Sequence, residues 1–130
     1  MEREEFEALL VGALSELPPE FQDRLENVDV VIEDRPTRSQ LIKSGIRHGW
    51  DLLGLYEGVP HTRRSRWYNM VLPDRITLFQ EPIEAKCRSE EEIADEIKRV
   101  LCHEIAHHFG IDDDRLRRME RERLRSRRRK

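Results

Sequence analysis

Residues 89–110 read SEEEIADEIKRVLCHEIAHHFG, and this stretch decides the fold because it carries the strongest helix signal in the chain. Ser89 and Glu92 have the spacing of a capping box, in which a serine hydroxyl and a glutamate bind free backbone N–H groups at the start of a helix. Gly110 supplies the stop, because glycine readily adopts the left-handed conformation that ends helices. We therefore predict a helix from about Glu90 to Gly110, about 30 Å long.

The apolar residues of this helix recur at intervals of three and four, which predicts one buried face. They are Ile93, Ile97, Val100, Leu101, Ile105 and Phe109. We predict that the adjacent Cys102 is a small buried apolar residue and that His108 is a hydrogen-bonded core histidine. The helix should therefore pack along its length against a single hydrophobic core.

The residues before this helix predict further helices and strands. Apolar spacing predicts an amphipathic helix at residues 2–17, which two prolines end and after which a second short helix begins. Alternating or β-branched runs predict three strands, at Val28 to Glu33, within DLLGLYEGVP at residues 51–60, and within RITLFQEPIE at residues 75–84. Residues 37–49 have the weak signal of a loop or broken helix, and residues 61–70 that of a polar connection.

Length and composition describe one small domain. The chain has 130 residues, of which 39% are charged and 37% hydrophobic, enough for one core of helices against a small sheet. No run of about eighteen apolar residues is present, which excludes a membrane-spanning helix. The N-terminus MEREEFEALL is acidic instead of basic and then apolar, so we expect no secretory signal and a cytoplasmic location, with both cysteines reduced.

Charge divides the chain into an acidic body and a basic end. Residues 115–130 carry ten Arg or Lys against two Glu, a balance of +8, so with a whole-chain charge of −3 residues 1–114 carry −11. We divide the chain into a domain at residues 1–116 and an Arg-rich tail at residues 117–130. Such a tail is either a solvated helical end or a surface for nucleic acid or an acidic partner.

The C-terminal end of the long helix contains the motif HEIAH. His103 and His107 are four residues apart and present two imidazoles on the same helix face, where they can bind one zinc ion. Glu104 lies too far round the helix to share the zinc easily, but it is placed to hold a water molecule. These residues predict a metal site with His103 and His107 as ligands.

A catalytic zinc site needs a third protein ligand and keeps a further position for water. Gly110 turns the chain so that Asp112, Asp113 and Asp114 approach the histidines. The spacing HExxHxxGxxD places Asp113 where zinc proteases of the metzincin type carry a third histidine, so we favour Asp113. Asp112 and Asp114 stay open as alternatives, because spacing does not separate three adjacent aspartates.

These residue types predict a zinc-dependent peptidase with one Zn²⁺, acting on peptides or unfolded protein segments. Zinc lowers the pKa of water to roughly 7, and Glu104 as general base takes the proton and returns it to the leaving amine. Two alternatives stay open: a proteolytically silent zinc-binding module, and a zinc-dependent RNA hydrolase, each contacting RNA or a protein partner through the tail. Glu104 favours the peptidase.

From about Val28 to Leu116 the chain resembles a family of small bacterial zincin-like metallopeptidases. The resemblance is carried by VVIEDRP, LLGLYEGVP, PDRITLFQEPIE and HEIAHHFGIDDDRL. It implies an α+β fold in which a small mixed sheet packs on the active-site helix, with His103, His107 and Asp113 as ligands and Glu104 as base. It also implies that LLGLYEG is the sheet edge near the cleft, where an extended substrate pairs.

Overall fold

The structure, a computed structural model, describes residues 1–58 and 73–128. Within its last helix, the side chains of residues 113, 120 and 123–128 lie outside that description. The polar connection predicted at residues 61–70 also lies outside the described residues.

Three strands form a mixed sheet in the described part of the chain. They are β1 (Val28–Glu33), β2 (Gly54–Glu57) and β3 (Asp74–Phe79), in the order β1-β3-β2. The central strand β3 runs parallel to β1 and antiparallel to β2. β3 is buried from Ile76 to Phe79, as expected of a strand covered on both faces. The sheet confirms the prediction of a small mixed sheet.

The described residues contain six α-helices, so the fold is α+β as predicted. They are α1 (Arg3–Glu16), α2 (Pro19–Leu25), α3 (Arg38–Ser44), α4 (Gln80–Lys86), α5 (Glu90–Phe109) and α6 (Asp113–Arg128), with a 3-10 turn at Gly49–Asp51. The predicted helices at the N-terminus and the long helix α5 are confirmed. α6 runs without a break across the predicted boundary between residues 116 and 117, which stays a prediction.

The hydrophobic core lies around α5, which contacts α1 on one side and strands β2 and β3 on the other. Its fully buried side chains come from the two N-terminal helices, the central strand and α5. They include Phe6, Phe21, Ile76, Leu78, Ile97, Leu101 and Ile105. Burying one such side chain contributes about 1.5–3 kcal/mol, so this face fixes α5 in place. Cys102 is buried, as predicted.

One charged side chain is buried within this packing. Lys98 of α5 is only 3% exposed, and its ammonium pairs with Glu16 of α1 and, at 3.6 Å, with Asp95. A buried ammonium must be paired, so this contact joins α1 to α5 at a defined position.

Residues 37–49, predicted as a loop or broken helix, contain a well-capped helix, α3. The Thr37 hydroxyl accepts the Gln40 backbone N–H at 3.1 Å, and the Gln40 side-chain oxygen accepts the Thr37 N–H at 2.8 Å. Gly45 ends the helix in the left-handed conformation at φ 74°. The threonine and glutamine three residues apart are a capping box, which is the signal that identifies this helix.

The strand predicted within residues 75–84, with Pro82 as its end, stops earlier, at Phe79, because Gln80–Lys86 form α4. Pro82 lies in the first turn of this helix, where a backbone N–H has no partner within the helix, so proline costs nothing there. The Glu81 N–H donates to the Asp34 carbonyl at 3.1 Å. This contact fixes the point at which β3 turns into α4.

Candidate metal centre and active site

The last two turns of α5 carry the three residues of the predicted motif. His103 and His107 lie four residues apart, so their side chains share one face of the helix. Both side chains are exposed, whereas Glu104 is half-buried between the helix and the sheet. α5 ends at Gly110, whose φ of 71° and ψ of 27° are left-handed, and the chain turns there toward α6.

Glu104 is held by the edge of the sheet. Its Oε1 accepts the backbone N–H of Tyr56 in β2 at 3.0 Å. Burial raises the pKa of Glu104 above its ordinary value, although the Tyr56 hydrogen bond and the neighbouring His107 and His103 act in the opposite direction. A carboxylate with a raised pKa accepts a proton more readily near neutral pH, which suits a general base.

Close packing of β2 on α5 brings Tyr56 to Glu104. At Gly54, a Cβ atom would lie 2.5 Å from Cγ1 of Val100 and 3.3 Å from the Thr77 carbonyl oxygen. Glycine is therefore required there for the strand to approach the helix. Tyr56 lies two residues beyond Gly54, and Glu104 lies one turn beyond Val100. The close approach of Gly54 to Val100 therefore also brings Tyr56 near Glu104. β2 lies at the edge of the described sheet, as predicted for LLGLYEG.

An aromatic cluster lies beside Glu104. The Tyr56 ring stacks on His108 with centroids 3.8 Å apart and planes 16° apart. The Tyr56 hydroxyl donates to Oδ2 of Asp74 at 2.7 Å, and Nε2 of His108 lies 3.9 Å from the same oxygen. Burial, followed by the hydrogen bond to Asp74, raises the pKa of Tyr56, so the phenol keeps its proton.

Two predictions about this end of the helix are wrong. His108 is not a core histidine, because its side chain is 38% exposed and lies against Tyr56 at the surface. Phe109, assigned to the buried face, is 39% exposed. The Arg24 guanidinium lies 4.5 Å from the centre of its ring, so a cation instead of the core covers one side of Phe109. The helix emerges from the core in its last turn.

The three aspartates after Gly110 have different surroundings. Asp112 caps α6, because its Oδ1 accepts the Arg115 backbone N–H at 2.7 Å. Asp114 is exposed and lies 3.3 Å from the Arg117 guanidinium. The side chain of Asp113 lies outside the described residues. Both alternatives to Asp113 are thus engaged in local contacts within α6.

The donor set fits zinc in part. Two imidazoles one helical turn apart match zinc's preference for nitrogen ligands, and their exposure leaves them accessible. Among the residues with described side chains, no group of three or more His, Cys, Asp or Glu forms a metal site. The two histidines therefore have no third ligand among the described side chains, and the side chain of Asp113 lies outside them.

Sequence reasoning missed Tyr56 and Asp74 as residues of this site. Tyr56 is 48 residues from Glu104 along the chain, so no spacing rule connects them. The only available signal was Gly54 in a strand otherwise made of large residues, since glycine there marks a close approach to another element. That signal identifies the strand but not its partner.

The sequence model of one protein family, described as zincin-like metallopeptidase, matches residues 25–123 of the 130-residue chain. The matched region contains all three strands, α5 and the first turns of α6. No curated protein matches the chain. No helix among the described residues is long and apolar enough to cross a membrane.

Proposed function

The chain belongs to the zincin-like metallopeptidase family, and from this membership and the position of Glu104 we propose that it is a zinc-dependent peptidase acting on peptides or unfolded protein segments. The observation that carries the proposal is the half-buried Glu104 carboxylate, which lies between two exposed histidines and the edge strand β2. Such an arrangement combines a metal-binding helix, a base and a strand edge in one place.

We assign His103, His107 and Asp113 as ligands of one zinc ion. When bound there, zinc would make a water molecule acidic enough to lose its proton near neutral pH and would polarise a peptide carbonyl. The exposed imidazoles supply two of the three ligands, and α6 begins with the third. The spacing HExxHxxGxxD supports Asp113 as the third ligand, and its neighbour Asp112 caps α6 through Oδ1.

Glu104 acts as the general base. Tyr56 holds its Oε1, and Oε2 has no hydrogen-bond partner among the described residues. Oε2 therefore accepts the proton from water, and the same carboxyl then returns that proton to the leaving amine. Burial raises the pKa of Glu104, which increases its affinity for the proton that it takes up from water. An extended substrate would lie along β2, and the outward N–H of Tyr56 would stay bound to Glu104 instead of pairing with the substrate.

Metal content and cleavage test the proposal together. Wild-type protein should bind one zinc per chain and cleave members of a peptide library, and a chelator should stop cleavage until zinc is restored. His103→Ala, His107→Ala and Asp113→Ala should each lower zinc content, whereas His48→Ala, which changes an exposed histidine outside the motif, should not. Zinc-loaded protein that cleaves no peptide would contradict the proposed function.

The partner predicted for the basic tail stays a prediction. Arg117, Arg118 and Arg121 of α6 are exposed, so they are accessible to an anionic partner. RNA incubated with the zinc-loaded protein should remain intact if the peptidase assignment is right. Salt-sensitive retention on nucleic acid that disappears on truncation after Leu116 would assign binding to the tail. The cytoplasmic location also stays a prediction.

A further inference from the structure

Tyr56 joins three elements at the candidate active site. Its backbone N–H binds Glu104 of α5, its hydroxyl binds Asp74 at the start of β3, and its ring stacks on His108 of α5. The stacked histidine directly follows His107, one of the two proposed imidazole ligands. One residue of β2 thus contacts both the base and the helical turn that carries a ligand.

The backbone geometry of β2 explains why this N–H is available. The Phe79 N–H donates to the Leu53 carbonyl at 3.0 Å, so the residue pair 53 and 79 is a hydrogen-bonded pair of the antiparallel ladder. In such a ladder, alternate residues turn their N–H and C=O groups toward the partner strand. Tyr56 therefore turns its N–H away from β3 and can donate to Glu104 without weakening the sheet.

We propose that Tyr56 is the positioning residue of the general base, holding Oε1 of Glu104 through its backbone N–H while Asp74 and His108 hold the tyrosine ring in place. This inference rests on the proposed function of Glu104. A glutamate side chain has three rotatable bonds, and fixing one of its oxygens on the strand limits their rotation while the other oxygen stays available to water. Catalytic groups need this kind of support from packed neighbours.

The side-chain anchors matter because the backbone donor lies on an edge strand. β2 has four residues and pairs with β3 on one side in the described sheet. The hydroxyl bond to Asp74 ties it to the central strand, and the stack on His108 ties it to α5. Loosening either anchor should let the N–H of residue 56 move relative to Glu104, without removing any ligand.

Tyr56→Phe tests the anchor on Asp74, because it removes the hydroxyl and keeps the ring. Loss of one hydrogen bond should lower kcat about tenfold, with KM nearly unchanged and zinc content at one per chain. Ser15→Ala is the matched control, because it removes an exposed hydroxyl that donates to the Gly12 carbonyl at 2.8 Å within α1. The control should keep wild-type kcat.

A double-mutant cycle separates positioning from a general structural role. If Tyr56 acts through Glu104, Tyr56→Phe should cause no further loss of kcat in a Glu104→Gln background. Full additivity of the two losses would overturn the proposal. A purely structural role predicts a lower melting temperature for Tyr56→Phe with unchanged kcat at a temperature well below the transition, and that result would also overturn it.

Two uncharged substitutions of His108 test the stacking contact, and only one of them keeps an aromatic ring. His108→Phe keeps an aromatic ring for Tyr56 and should retain most of the wild-type kcat. His108→Ala removes the ring and should lower kcat about as much as Tyr56→Phe does. Equal kcat for the phenylalanine and alanine variants would contradict a positioning role for the stack.

A measurement on the metal-free protein tests the same contacts without any activity. The amide proton of residue 56 should exchange slowly with deuterium in wild type, and its NMR resonance should shift on Glu104→Ala. Tyr56→Phe and His108→Ala should each speed its exchange, whereas Ser15→Ala should not. If wild type cleaves no peptide, the proposed function is wrong, but the exchange measurement still shows whether the Tyr56 N–H binds Glu104. Rapid exchange at residue 56 in wild type would overturn the positioning inference.

Discussion

The two halves of α5 are built differently, although they form one continuous helix. In the first half, Ser89 caps the free N–H of Glu92, Ile97 is fully buried, and the buried Lys98 is paired. In the second half, Glu104 is half-buried with a raised pKa, and the two proposed ligands are exposed. The first half therefore serves packing alone, whereas the second combines core packing by Leu101 and Ile105 with an exposed histidine face. We expect mutations of the first half and of the histidine face to affect different measurements.

Among these substitutions, the largest loss of stability should come from Ile97 in the first half. Ile97→Ala removes a fully buried side chain and should lower the free energy of unfolding by about 2–5 kcal/mol, as measured by urea denaturation. His103→Ala in metal-free protein changes an exposed side chain and should alter it by no more than about 0.5 kcal/mol. Similar losses in the two variants would remove the distinction between the halves.

Gly54→Ala should disturb both properties, because Gly54 lies where the strand meets the helix. The added methyl group would lie 2.5 Å from Val100, and relief of that overlap should lower the free energy of unfolding by about 1–3 kcal/mol. Cleavage should fall as well, since β2 and Tyr56 move away from Glu104. Adding Val100→Ala removes the nearest contact and should restore part of the activity. An unchanged Gly54→Ala protein would argue against close packing of β2 on α5.

Ser89→Ala should affect stability alone, and by a smaller amount. The Ser89 hydroxyl accepts the Glu92 N–H at 3.1 Å, and loss of such a cap lowers the free energy of unfolding by about 1 kcal/mol. The Glu92 carboxylate accepts the N–H of Arg88, the residue before the cap, at 2.5 Å, and this contact does not involve the Ser89 hydroxyl. kcat per zinc-loaded chain should stay at the wild-type value in this variant. A reduced kcat would show that the two halves are coupled.

The smallest expected effect is the loss of stability caused by burying the Glu104 carboxylate. The raised pKa of Glu104 means that the folded metal-free protein binds this proton more tightly than the unfolded chain does. The resulting stabilisation is full below the unfolded-chain pKa and is lost as pH rises through the folded pKa. Glu104→Gln stays neutral and still accepts the Tyr56 N–H, so it should melt at a higher temperature than wild type at neutral pH.

Thermal unfolding with a chelator present, at neutral pH and near pH 4, measures this difference. The advantage of Glu104→Gln should shrink near pH 4, because an unperturbed glutamate titrates at about 4.3 and wild type becomes protonated there too. If Glu104→Gln melts at neutral pH at or below the melting temperature of wild type, burial of the Glu104 carboxylate does not lower the stability of the folded protein.

The parts of the fold predicted from sequence are those in which local signals agree. α5 has a cap, a periodic apolar face and a terminal glycine, and all three predict the same helix. α4 was missed because Pro82 suits both the end of a strand and the first turn of a helix. The choice between them depends on the contact of Glu81 with Asp34, 47 residues earlier, which local sequence does not reveal.

The same limit applies to the site. Helical spacing identifies His103, Glu104 and His107 as a group, because they lie within five residues of one helix. Tyr56 and Asp74 come from separate strands, and only the sheet register and the close approach at Gly54 place Tyr56 beside Glu104 and Asp74 beside Tyr56. Phe109 follows the apolar spacing but lies where the helix leaves the core, and periodicity does not show where a core ends.

Bound zinc and kcat/KM, determined on one preparation of Glu104→Gln, test the central claim most directly. Removing a general base while leaving the ligands intact should keep one zinc per chain and lower kcat/KM for a cleaved peptide about 10²–10⁴-fold. Glu91→Gln, the same change at an exposed position in the first turn of α5, should match wild type in both measurements. Cleavage by Glu104→Gln at the wild-type rate would contradict the assignment of Glu104 as the base.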